Sequence, residues 1–273
     1  MAAPIDRHDA LEKGARLGFA ARGLVYAIVG GFAFLAAFGH GGGTTDTQGA
    51  LRVLLSQPLG KLLLALVGLG LVGYAVWRLV MGVRDPERRV GENGGAALAR
   101  RAGYVVSGIA NLALAAFAGS LALPGMIPSP GNGGGSGDGI RDWTATLMAQ
   151  PYGRWLVALV GVVVLGVAVG FAVRAVRASF ERSFDPAAHT PMIRQLCRIG
   201  ILARAAVFAV IGVFFLLAAW QADPSEAKGL GAALGALREQ PFGPALLGLV
   251  GLGLVAYGGY SLIASRWRRI RTA

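Results

Sequence analysis

The chain has 273 residues, of which 55% are hydrophobic and 15% charged, with a mean hydropathy of +0.58 and a formal net charge of +12. A soluble domain carries roughly 25% charge, and here charge is absent from blocks long enough to cross a bilayer, which takes about 20 apolar residues; a soluble globular fold is excluded. The basic excess is clustered beside those blocks, an orientation pattern rather than a nucleic-acid surface, and the single Cys197 leaves no intrachain disulfide.

Residues 1–16 form a polar lead-in with Asp6, Arg7, Asp9, Glu12, Lys13 and Arg16. The apolar run from Leu17 to Phe38 is too long for a secretory signal and lacks a small-residue cleavage site, so it reads as a retained first span. Further spans are expected at Leu62–Trp77, Ala102–Leu123, Trp155–Val173, Ala205–Ala222 and Phe242–Ser265. The second is short, but Lys61 and Arg78 can snorkel and lengthen it. Residues 124–139 are rich in Gly, Pro and Ser and read as a loop. Three short stretches, Ala50–Leu55, Trp143–Met148 and Ala233–Leu237, have apolar residues three and four apart. They predict one-sided surface helices of two to three turns.

Each short helix runs into one box: Gln57-Pro58-Leu59-Gly60, Gln150-Pro151-Tyr152-Gly153 and Gln240-Pro241-Phe242-Gly243. The spacing of about 90 residues marks internal repeats. Proline suits the box because it ends one helix and readily starts the next. The units are 14–90, 99–186 and 196–270, within a single membrane domain spanning 1–273. Their first spans open in parallel, with Gly18 and Arg22, Gly103 and Ser107, and Gly200 and Arg204. Matched positions after the boxes hold Gly68, Gly161 and Gly251, then Tyr74, Val167 and Tyr257. Small residues at matched depth let helices approach in lipid. The predicted fold is all-α: six transmembrane helices as three parallel two-helix repeats around a pseudo-three-fold axis along the membrane normal.

Six crossings put both termini on one side. Twenty Lys and Arg fall on that side and six on the other, so the termini are expected in the cytoplasm. Arg88, Arg89, Arg100, Arg101, Arg266, Arg268 and Arg269 then become anchors for anionic lipid headgroups. The repeated opening, the Gln-Pro-X-Gly box and the basic inner loops resemble an uncharacterised bacterial membrane family, domain of unknown function 1206, over roughly Gly14 to Trp267. That resemblance implies a multi-pass protein of the bacterial inner membrane and carries no activity with it. The second copy departs most, with Ser107 for arginine and Val167 for tyrosine.

Arg22, Ser107, Arg204 and Asn111 form the candidate polar, anion or lipid site, because charge and amide groups at membrane depth need partners. Arg22 and Arg204 can instead snorkel to the interface, and Asn111 can act as glue between helices. His8, His40 and His189 lack metal-ligand spacing, no catalytic or phosphate-loop motif is present, and no cofactor is expected. The spans lack Asp and Glu, which argues against proton- or sodium-coupled transport. The expected function is a non-enzymatic structural or accessory role acting through lipid or a protein partner in the membrane, without nucleic acid. The alternative is a passive pore or transporter for a small solute or anion along the pseudo-three-fold axis.

Overall fold

The structure is a computed structural model, which describes residues 7–39, 44–84, 94–125, 137–188 and 190–268. The described elements are helical: α1 Arg7–Ala37, α2 Thr47–Leu55, α3 Gly60–Arg84, α4 Gly94–Ala122, α5 Gly137–Met148, α6 Gly153–Val176, α7 Pro191–Gln221, α8 Leu230–Arg238 and α9 Gly243–Trp267. Short 3-10 turns lie at Ser179–Ser183, Pro186–Ala188 and Pro224–Glu226. Six helices are long and apolar enough to cross a membrane. Helix is what such segments must adopt, since in lipid every backbone N–H and C=O has to be satisfied within the segment. The chain is therefore a multi-pass membrane protein with six candidate spans.

The short helices α2, α5 and α8 have 9, 12 and 9 residues, too few to span. Each buries one face: Ala50, Leu51 and Leu54 on α2, and Ala233 and Leu234 on α8. On α5 the inward residue is Thr144, whose hydroxyl donates to the Ile140 carbonyl at 2.7 Å, and Trp143 points out. Its Ile140, Leu147 and Met148 pack on Val157, Phe215 and Ala218.

Contacts group the chain into two compact units. One comprises Met1–Arg22, Leu54–Pro130 and Ser261–Ala273; the other comprises Gly23–Val53 and Gly131–Tyr260. In the first, α3 packs along α4, and the start of α1 lies against α3. A Cβ on Gly18 would fall 2.2 Å from the Tyr74 Cβ, and one on Gly73 would fall 2.5 Å from the Gly14 carbonyl oxygen. In the second unit α6 packs along α7, and α9 meets both α7 and the latter part of α1. A Cβ on Gly200 would reach 2.4 Å from the Tyr257 nitrogen, and one on Gly30 would reach 2.6 Å from the Gly251 carbonyl oxygen. Glycine sits at these crossings because close backbone approach is what holds helices together where lipid is as apolar as leucine.

Candidate functional site

Arg22, one turn into the apolar part of α1, is 8% exposed and donates from its guanidinium to the Tyr74 hydroxyl of α3. Arg78, one turn beyond Tyr74, donates to the same oxygen from Nε at 2.8 Å and from a terminal nitrogen at 2.5 Å. Both guanidinium carbons also stand over the Tyr74 ring, at 4.6 and 5.0 Å from its centroid. Phe19 and Trp77 complete the cluster, with Arg268 lying 5.2 and 5.1 Å over their rings.

The third repeat builds the same clamp. Arg204 of α7 is 9% exposed and donates to the Tyr257 hydroxyl of α9 at 2.5 Å. Four rings surround its guanidinium: Tyr257 at 4.7 Å, Tyr26 and Phe171 at 5.0 Å, and Phe208 at 5.1 Å. A guanidinium at membrane depth costs about 2.5–3.5 kcal/mol on insertion scales. A cation over a ring recovers roughly 0.5–2 kcal/mol, so four rings and a hydroxyl are enough to hold Arg204 inside.

Among the described residues, the second repeat has no such clamp. Asn111 turns back to donate to the Ser107 carbonyl of its own helix at 2.6 Å, and Val167 is exposed. A Cβ added to Gly103, the counterpart of Gly18 and Gly200, would meet nothing within 4 Å, and the same holds for Gly166 and Gly170. The four candidate polar residues are thus drawn into separate local arrangements: Arg22 to Tyr74, Arg204 to Tyr257, and Asn111 to Ser107.

A second recurring device was not anticipated from the sequence. Arg101 donates to the carbonyls of Gly82 at 2.8 Å and Val83 at 3.0 Å, at the end of α3. Arg198 donates to Ala175 at 3.2 Å and Val176 at 3.4 Å, at the end of α6. Arg16 donates to Ser265 at 2.8 Å and also to Arg266, at the end of α9. All three stand two residues before the opening glycine of their repeat, as Arg-x-Gly. That spacing is the signal in the sequence that could have revealed them. Chemically they are C-caps: a cation satisfies carbonyls that the helix leaves open and meets the negative end of its dipole.

Two of the expected lipid anchors make contacts within the chain. Arg101 is engaged by the end of α3, and Arg268 is 5% exposed, with its guanidinium over aromatic faces rather than at the surface. The aromatic faces repay its desolvation. Arg100 is half-buried, and Arg266 is exposed with its guanidinium 5.5 Å from the Trp267 ring. Arg88, Arg89 and Arg269 lie outside the described residues, as do His40 and His189.

Each Gln-Pro-X-Gly box is a tight turn. The glycine N–H donates to the glutamine carbonyl, at 2.8 Å for Gly60 and Gln57, 2.8 Å for Gly153 and Gln150, and 2.7 Å for Gly243 and Gln240. Proline takes the second position, and the third is left-handed, with φ of 61° at Leu59, 62° at Tyr152 and 60° at Phe242. This is the type II pattern, which ordinarily wants glycine at the third position. Here glycine is needed one residue later: a Cβ there would come within 2.2 Å of the Leu55 carbonyl oxygen, 2.1 Å of Leu147 and 1.9 Å of Arg238. The start of each span abuts the end of the short helix before it.

Comparison with known proteins follows the same three-part division. The sequence profile of a Domain of Unknown Function (DUF1206) matches residues 17–85, 102–178 and 199–268. The chain is 34% identical over 257 residues to an "Uncharacterized protein YxxB" of Bacillus subtilis (strain 168), covering 93% of this chain and 90% of that protein. No solved structure matches. With the profile matched three times over most of its length, the chain belongs to the DUF1206 family.

Proposed function

We propose that the protein is a non-enzymatic structural or accessory component of the bacterial plasma membrane, with both termini in the cytoplasm and its three repeats set around a pseudo-three-fold axis. The observation that carries this reading is where the intramembrane polar groups are spent. Arg22 and Arg204 close helix pairs through Tyr74 and Tyr257, and the Asn111 amide bonds within its own helix. Groups that would line a solute path are used as internal fastenings. The Arg-x-Gly caps support the cyclic arrangement, since the second and third repeats each cap the repeat before them, and the first caps the third. Exposed Arg266 beside Trp267 supports anionic headgroups as the cytoplasmic lipid contact.

The test is flux through reconstituted liposomes. Vesicles containing the protein should leak chloride, potassium and small neutral solutes no faster than protein-free vesicles, and Asn111→Leu should change nothing. Solute flux that falls in Asn111→Leu would establish the passive-pore alternative instead. Orientation is tested separately with single cysteines at Arg84 and Arg238. A membrane-impermeant maleimide added to intact cells should label the second and spare the first.

A further inference from the structure

We infer that Leu59, Tyr152 and Phe242, the third residues of the three Gln-Pro-X-Gly turns, are lipid wedges seated in the bilayer interface on the face opposite the chain termini. Each is a bulky apolar or aromatic side chain on left-handed backbone, where glycine or asparagine would sit without strain. Each is also turned outward, 74%, 81% and 85% exposed respectively. The contact that repays the strain is therefore made outside the chain.

Three observations identify lipid as the occupant. Each wedge immediately precedes the first residue of a candidate span, Gly60, Gly153 or Gly243, so it emerges at the level where a span meets the headgroups. In the second repeat that level is marked independently. Arg154, two residues after Tyr152, donates to the carbonyls of Ala219 at 2.5 Å and Trp220 at 2.8 Å, which brings exposed Trp155 and Trp220 to the same height. Exposed tryptophan and tyrosine at span ends are the mark of the membrane interface. Finally, the three side chains share bulk and apolarity without sharing shape. Acyl chains and glycerol backbones accept Leu, Tyr and Phe alike, whereas a protein pocket would select one form.

The experiment uses the full chain in phospholipid vesicles, in a Cys197→Ala background, with one nitrobenzoxadiazole-labelled cysteine at a time. Leu59→Cys, Tyr152→Cys and Phe242→Cys are compared with Glu239→Cys, an exposed polar position just before the third box. Quenching by a nitroxide on the upper acyl chain should be several-fold stronger at the three wedge positions than at 239, and quenching by aqueous iodide should show the opposite order. Iodide quenching equal to that at 239 would overturn the proposal, because the side chains would then face water. Protection from both quenchers would overturn it in favour of a protein occupant. A second arm replaces all three residues by asparagine, which tolerates the left-handed backbone, and places the label at Trp155→Cys. Retained helical circular dichroism together with a roughly two-fold loss of nitroxide quenching there would show that the wedges set depth at the interface; unchanged quenching would refute it.

Discussion

The buried arginines show how the chain accommodates charge at membrane depth. Tyr257→Phe keeps the ring over Arg204 and removes the hydroxyl that accepts its N–H, so a thermal melt in detergent should show a loss of about 1–3 kcal/mol. Tyr74→Phe should cost more, because that oxygen accepts from both Arg22 and Arg78. Asp223 lies beyond the end of α7 and accepts the Ser225 N–H at 2.8 Å, which holds its carboxyl below the usual aspartate range. A lowered acid pKa contributes stability above the unfolded value of about 3.9 and loses it as pH falls through the folded one. The Ser225 amide resonance should therefore titrate with a midpoint below the ordinary aspartate value. Glycine positions separate sharply by environment. Gly243→Ala drives a Cβ to 1.9 Å from the Arg238 carbonyl oxygen and should abolish stable expression. Gly166→Ala enters open space and should be neutral or stabilising by up to about 1 kcal/mol, alanine being the better helix former.

At the scale of elements, the helix ends carry the fold's most regular feature. An α-helix leaves its last four carbonyls open, and here the open ends of α3, α6 and α9 are closed by an arginine from another helix. Arg101→Ala should cost about 1.5–3 kcal/mol, the range for hydrogen bonds to charged groups. Amide exchange should rise most in the last turn of α3. Lysine at 101 should restore less than half, since its point charge cannot reach two carbonyls in a fork as a guanidinium does. The box turns contribute at the other ends of the same helices, joining each short helix to a span with a left-handed residue and an obligatory glycine.

For the molecule as a whole, the three copies have diverged in how firmly each is fastened. Hairpins one and three combine close glycine contacts with an arginine–tyrosine bond. The second copy retains Gly103 while lacking both the arginine and the tyrosine, and its spans α4 and α6 are the least buried of the six. In hydrogen exchange within a bilayer, α4 and α6 should open before α1 and α9. Equal protection of all six spans would contradict this ranking.

Six spans, three repeats and three boxes were legible from the residues alone, because apolar length, the Gln-Pro-X-Gly spelling and the period are properties of composition and order. The C-terminal ends of α2, α5 and α8 fall within a residue of expectation for the same reason. By contrast, α5 begins at Gly137, inside the stretch read as a loop and six residues before the expected start, and Trp143 points outward while Leu147 and Met148 of the same expected face pack inward. What only the tertiary structure decided is partnership. Arg22 and Arg204 could be recognised as costly, but their tyrosine and aromatic partners lie on other helices. Arg16, Arg101 and Arg198 bond to backbone carbonyls, which every residue carries and no side chain marks, so order along the chain names the donors and leaves the acceptors to be found in space.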